Sequence, residues 1–206
     1  MNAEKLWDKL SVNYDKRVKK HEQTYIKYVE KTRKYLNAKD IVLDFACGTG
    51  LIANEIAEYA QKIYAIDISY KMIEAAKRKA DEIKIKNIDF AQSSLFDDNY
   101  KKESFDVILT FNVLHILEDT QKIIQRINDL LKPGGLIISA TPCLGERQTF
   151  LNIIIYLLQK IGLVRYMNLF KTHELEDLIA KGNFRIVETE IMHHSPTNYF
   201  IVAKKI

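Results

Sequence analysis

The segment Asp44-Phe-Ala-Cys-Gly-Thr-Gly50 sets a carboxylate beside two closely spaced glycines, and a second carboxylate, Asp67, follows about twenty residues later. Glycine has no side chain and tolerates positive φ, so the backbone at Gly48 and Gly50 can approach a ligand closely. Gly48, Gly50 and Ala53 fit the pattern G-x-G-x-x-A, with Asp67 placed for a ribose. A nicotinamide-dependent oxidoreductase is therefore one reading. Asp44 weighs against it, because a carboxylate at the end of the strand would repel a pyrophosphate and attract a cation. S-adenosylmethionine brings an ammonium and a sulfonium and no phosphate, which suits Asp44, and Asp67 would hold its ribose.

The remaining chemistry-bearing residues are fewer. His115, with an ordinary pKa near ~6.5, is a candidate general base, though it equally suits a solvent-facing or turn position. His173, His193 and His194 lie on less diagnostic segments. Cys47 and Cys143 are too few for a disulfide framework and lack the paired spacing of a zinc site. No metal is expected.

These residues need a frame. Tyr25, Ile26, Val29, Thr32, Tyr35 and Leu36 recur at helical spacing over Glu22 to Leu36, with the lysines expected to face water. Ile41 to Ala46 is a short apolar run ending in the glycine turn, and helical spacing resumes over Leu51 to Ala60. Ile63 to Asp67 repeats the strand, Ser69 caps a helix to about Ile83, and strands follow at Ile88 to Gln92 and Phe105 to Phe111. Asp119 caps a further helix that Pro133-Gly134-Gly135 terminates before a strand from Leu136 to Ala140. Such alternation predicts parallel strands with helices on both faces and a ligand beyond the strands' carboxyl ends. Near the carboxyl end, Thr172 and Gly182 bound a helix. Phe184 to Glu190 and Tyr199 to Lys205 are too close together for a crossover and should pair antiparallel, giving seven strands.

Val42-Leu-Asp-Phe-Ala-Cys-Gly-Thr-Gly50, Ala65-Ile-Asp-Ile-Ser69 with Met72, and Leu131-Lys-Pro-Gly-Gly135 together resemble successive motifs of class I S-adenosylmethionine-dependent methyltransferases. The resemblance implies a Rossmann-like α/β three-layer sandwich with a mostly parallel sheet, order 3-2-1-4-5-7-6 and the last strand antiparallel. It implies one domain over 1–206: a helical lid at 1–38, a cofactor-binding core at 39–141, a helical substrate-side insertion at 142–171, and a closing helix and strand pair at 172–206. S-adenosylmethionine is the implied cofactor and S-adenosylhomocysteine the product. Asp44, Ala46, Cys47 and Gly48 would line the methionine moiety, Asp67 would bind ribose, and Ile68 and Met72 would pack on adenine. Tyr14 would be a lid residue over the cofactor, and Phe111 and Asn112 would border it. The family usually has glycine where this chain has Ala46, and an acid where it has Ser94, leaving Ser94 and the Leu95 amide for the adenine. On the implied strand order Cys47 and Cys143 stand two strand spacings apart, about 9.6 Å, beyond the ~7 Å reach of a disulfide.

The acceptor is less defined. The stretch Leu151 to Val164 is largely apolar but spans only about 21 Å as a helix, short of the roughly 30 Å bilayer core, so it is no transmembrane helix. It suggests either a lid over an apolar small-molecule acceptor or ordinary core and dimer packing. Asp15 to Lys39 carries nine Lys/Arg against three acids, within a net charge of +4. That run is either a solvated helix face or a weak membrane-surface contact. Nucleic acid is the poorer candidate, because no stacking platform accompanies the charge. Acceptors within the class include a small molecule, a lipid or quinone, or a protein, and a cofactor-binding protein without turnover is a further alternative. With no secretory pattern in the sequence, a cytoplasmic monomer or homodimer is expected.

Overall fold

The structure, a computed structural model, describes residues 3–146, 166–194 and 196–206. Three helices come first: α1 (Ala3–Ser11), α2 (Tyr14–Lys19) and α3 (Glu22–Arg33). β1 (Ile41–Phe45), α4 (Leu51–Ile56), β2 (Lys62–Asp67), α5 (Tyr70–Glu82) and β3 (Ile88–Gln92) form the first half of the sheet. β4 (Phe105–Phe111), α6 (Thr120–Leu130), β5 (Leu131–Pro142), α7 (Thr172–Lys181), β6 (Phe184–His194) and β7 (Thr197–Lys205) complete it. The strand order is β3-β2-β1-β4-β5-β7-β6, with β1 to β5 parallel and β7 antiparallel to both neighbours. Sequence and structure agree on this architecture.

Helices cover both faces, so strand residues of either parity must be apolar. In β1, Val42 packs with Tyr28, Ile52 and Ile56 from one helical layer, whereas Leu43 packs with Ile124, Ile127 and Ile179 from the other. Ser69 accepts a hydrogen bond from the Met72 amide (3.2 Å) and Asp119 from the Lys122 amide (3.0 Å), so α5 and α6 start at the two expected caps.

Local details depart from the sequence reading. Tyr28 is buried in the α3 face and Ile26 is 43% exposed, because the inward stripe runs 25, 28, 29, 32. Lys31 turns away from water to ion-pair with Glu188 and Glu190 on β6. α6 stops at Leu130, and Pro133-Gly134-Gly135 lies within β5 as a bulge, the register stepping from Phe105 opposite Leu131 to Val107 opposite Leu136. Thr172 does not cap α7. It is the first helical residue, and its amide and hydroxyl donate to Glu146 (2.6 and 2.7 Å), while Lys171 occupies the cap position. Gly182 keeps a negative φ, its bareness being required by Ile124, which a Cβ would meet at 2.3 Å; Asn183 takes the left-handed turn instead. β6 and β7 are both longer than their apolar runs, leaving only residues 195 and 196 between them. The insertion expected at 142–171 falls mostly outside the described residues, including the apolar stretch at 151–164.

Candidate functional site

At the end of β1 the chain turns sharply through three residues with positive φ, Ala46 (60°), Gly48 (55°) and Gly50 (74°), and enters α4. The Cys47 amide donates to the Ile66 carbonyl (3.0 Å) and the Gly50 amide to the Cys47 carbonyl (3.0 Å), which ties the turn to β2 and to itself. A Cβ at Gly50 would come within 3.0 Å of both the Ala76 methyl and the Phe90 ring, so α5 and β3 press directly on the turn. The bare face of Gly48 looks toward the Tyr14 ring, which a Cβ would approach to 3.5 Å.

Two carboxylates flank this turn. Asp67 accepts the Gly48 amide at Oδ2 (3.0 Å) and the Ser69 amide at Oδ1 (2.9 Å), and burial raises its pKa against those bonds. Asp44 is 2% exposed and its Oδ2 has no hydrogen-bond partner. Desolvation, with the Asp67 charge added, pushes its carboxyl up to about 7. Burial and the same two carboxylates raise the Cys47 thiol well above its usual range, and burial pushes Cys143 up to about 12, so both free thiols stay protonated at neutral pH.

A cavity of about 350 Å³ opens at this point, beyond the carboxyl ends of β1, β2 and β4. Tyr14, Ala46, Gly48, Asp67, Ile68, Met72, Phe111 and Asn112 all line it. Asp44 and Cys47 lie behind them in a recess of about 20 Å³ that shares Tyr14, Ala46, Phe111 and Asn112 with the cavity. Ser94 and Leu95 are not brought to it: Ser94 is exposed, and Leu95 is buried in the core with its carbonyl accepting from Arg126 (3.1 Å). His115 is also absent from the lining. It sits on the 3-10 turn Leu114–Ile116, where its Nδ1 is buried without a partner and desolvation pulls its pKa down to about 4.

Residues that sequence reasoning did not single out complete the wall. Trp7 and Ala3 come from α1, and Val113, Ile116, Leu117 and Glu118 from the chain after β4. The N-terminal helices are fastened at three points. Asp8 accepts from the Ser69 hydroxyl (2.6 Å) and the Lys71 amide (3.1 Å), Asp15 accepts from the Thr49 hydroxyl (2.6 Å) and pairs with Lys79, and Glu4 accepts from Gln92 (3.1 Å). Trp7 lies inside the segment expected to be a lid, and a lone tryptophan there is the signal that could have found it. Beside the cavity, Tyr14 and Tyr25 share a hydrogen bond, Asn112 donates to the Tyr25 hydroxyl (3.3 Å), and Asn198 donates to Asn112 Oδ1 (3.3 Å).

Among the described residues the cavity wall carries the carboxylates of Asp67 and Glu118 and no Lys, Arg or His. An anionic pyrophosphate finds no countercharge there, whereas a cation with a ribose finds Asp67, the bare face of Gly48 and the unpartnered oxygen of Asp44. S-adenosylmethionine fits these residues.

Comparisons with known proteins agree. A family described as "Methyltransferase domain" matches residues 36–192. A ubiquinone biosynthesis O-methyltransferase of Coxiella burnetii is 25% identical over 170 residues, covering 80% of this chain and 72% of that protein. The Brucella anthropi protein of the same name is 27% identical over 180 residues, with the same coverage. In fold, the chain resembles the crystal structure of a SAM-dependent methyltransferase from Methanosarcina mazei, with a TM-score of 0.71, 20% identity, and coverage of 85% of this chain and 96% of that one. The chain belongs to the class I S-adenosylmethionine-dependent methyltransferases.

Proposed function

We propose that this enzyme moves the methyl group of S-adenosylmethionine by direct displacement to a small-molecule acceptor with an apolar body. The observation that carries the donor half of this reading is the cavity beside Gly48, whose wall has carboxylates and, among the described residues, no basic side chain. When bound, the cofactor supplies an electrophilic methyl on a sulfonium. The protein's own residues then have to bind, orient and exclude water. Asp67 stands ready for ribose hydroxyls, Asp44 for a cationic group, and Ile68 and Met72 for the flat face of a base. Trp7 and Tyr14 cover the cavity from the lid. Alignment alone can contribute roughly 7–11 kcal/mol to such a displacement, so a dedicated catalytic triad is unnecessary.

The oxygen acceptors named for the Coxiella and Brucella relatives favour an oxygen acceptor here. Among the described residues no helix is long and apolar enough to cross a membrane. The test begins with thermal unfolding: S-adenosylhomocysteine at a hundredfold excess over its Kd should stabilise the chain by about 2.7 kcal/mol, and NAD or NADP should leave it unmoved. The reverse pattern would remove the proposal. Transfer of a labelled methyl group to an extract of small molecules, rather than to its protein fraction, then tests the acceptor class.

A further inference from the structure

We infer that the methyl acceptor occupies a second cavity, of about 260 Å³, that shares Tyr14 and Asn112 with the cofactor cavity, and that this acceptor is a single-ring phenol bearing an acidic group. The inference rests on the methyltransferase reading and adds to it a place and a chemistry for the substrate.

The shared wall comes first. Asn112 follows β4 with φ of 54°, a conformation asparagine tolerates better than most residues, and it lines both cavities. A nucleophile held against Asn112 from the second cavity therefore faces the place where a methyl group would be presented. Register supplies the second wall. β7 pairs with β5 so that Asn198 stands opposite Pro142, and both line the cavity.

Asn198 points to a ligand. It is 8% exposed, its side chain is engaged with Asn112 and with the Tyr28 hydroxyl, and its Oδ1 accepts no hydrogen bond. Leaving a buried acceptor unmet costs stability. A ligand that brings an O–H or N–H to this point removes that cost.

Charge separates the two kinds of donor. Arg17, His21 and His193 stand at the exposed rim, and among the described residues no carboxylate lines the cavity. Of the acids whose fields reach the shared wall, Asp67 acts on Tyr14 from the cofactor cavity, and Asp15, which acts on Tyr14 and Tyr25, is already held by Thr49 and Lys79. An amine, protonated at neutral pH, would meet Arg17 with no counterion, whereas a phenol gives up its proton more readily in such a field. An acidic substituent on the ring would find Arg17 directly. The flat walls of Tyr25, Tyr28 and Pro142 suit one aromatic ring, and the His21 and His193 rings, 6.4 Å apart and edge-on, narrow the mouth. In the transfer, the phenolic oxygen forms the new C–O bond, the sulfonium C–S bond breaks with its electron pair staying on sulfur, and the phenolic proton leaves to water at the rim.

The test uses the full chain saturated with S-adenosylhomocysteine and titrated calorimetrically with 3,4-dihydroxybenzoate, catechol and dopamine, which share a ring and differ in charge. Dihydroxybenzoate should bind about tenfold more tightly than catechol, and dopamine most weakly. Asn198→Leu and Arg17→Glu should each weaken dihydroxybenzoate binding by about tenfold while leaving S-adenosylhomocysteine affinity within about threefold. With labelled cofactor, label should appear in a methoxy product and fall in the same variants. Preference for dopamine, no binding of any of the three, or unchanged binding in Arg17→Glu would overturn the inference while leaving the cofactor reading intact. Arg17 is exposed, so that variant decides the matter even if Asn198→Leu fails to fold. Failure of S-adenosylhomocysteine itself to bind would instead remove the reading beneath it.

Discussion

Asp44 and Asp67 lie at the carboxyl ends of adjacent parallel strands beside one glycine turn, Asp44 buried and Asp67 half-buried at the cavity, yet only Asp67 is met by backbone amides. That asymmetry divides their work. Asp67 is held in place before any ligand arrives, whereas Asp44 is left with a need that a cation can meet. Holding such a group unsatisfied costs stability, a cost that the proposed cofactor site would explain.

The first prediction concerns Asp44. Its carboxyl titrates at about 7 in the free protein because burial and Asp67 oppose its charge. A bound ammonium favours the charged form, so binding should expel a proton below pH 7, and affinity for S-adenosylhomocysteine should rise about tenfold from pH 6 to pH 8. For stability the sign is opposite: a carboxyl raised from 3.8 makes the unliganded fold progressively less stable as pH rises from 3.8 through 7. Asp44→Asn should therefore melt higher than the natural chain at pH 8 without ligand and gain less from S-adenosylhomocysteine. Calorimetry in buffers of different ionisation enthalpy measures the proton, and affinity independent of pH between 6 and 8 would remove Asp44 from the site.

Asp67 should behave differently, because it braces the turn and, in the proposed function, also holds the ligand. Asp67→Ala orphans the Gly48 and Ser69 amides, each at about 1–3 kcal/mol, and removes the acceptor for ribose. The expected result is a lower melting temperature together with a loss of S-adenosylhomocysteine affinity of roughly a hundredfold. Equilibrium unfolding and titration calorimetry on the same sample read both. A variant that loses stability but keeps its affinity would show that Asp67 only braces the turn.

How much of this was legible beforehand follows from the range of the interactions. Val42-Leu43 and Ile108-Leu109 announce buried parallel strands, and Ser69 and Asp119 announce helix starts, because periodicity and capping are local. The acids at 44 and 67 were readable because each terminates a readable strand. Lys31 with Glu188 and Glu190, and Asn112 with Asn198, are pairs more than eighty residues apart that only the β5–β7–β6 register brings together. For Ser94 and Leu95 only the family resemblance points to the adenine. The turn after β3 sends the Leu95 side chain into the core and binds its carbonyl to Arg126.

Ala46 gives a third prediction. It holds a φ of 60°, where a Cβ crowds the following carbonyl at roughly 1–2 kcal/mol, partly offset by the backbone entropy that alanine saves over glycine. Ala46→Gly should stabilise the chain by about 0.5–1 kcal/mol in urea unfolding. Because Ala46 also lines the cavity, the extra room should alter S-adenosylhomocysteine affinity by no more than about threefold. Destabilisation would mean that the Ala46 methyl, which packs against the core cluster that holds Leu43 and Ile66, contributes more than the strain costs.

His115 provides the last prediction, and its sign decides between a base and a core residue. Desolvation lowers its pKa from 6.5 to about 4, so the folded protein resists binding a proton that the unfolded chain takes up. Stability attached to His115 is therefore complete above pH 6.5 and lost as pH falls toward 4. Replacing it with leucine removes an imidazole whose Nδ1 is buried and unpartnered, so His115→Leu should flatten the acid side of the stability profile, its advantage over the natural chain growing from pH 7 to pH 5. In catalysis the same imidazole is neutral throughout pH 5 to 8 and stands outside the cavity wall, so kcat should show no inflection from it in that range and should survive the substitution. A loss of kcat of more than about a hundredfold in a leucine variant that folds and still binds S-adenosylhomocysteine would return His115 to the reaction as its general base, since that is the scale on which such groups act.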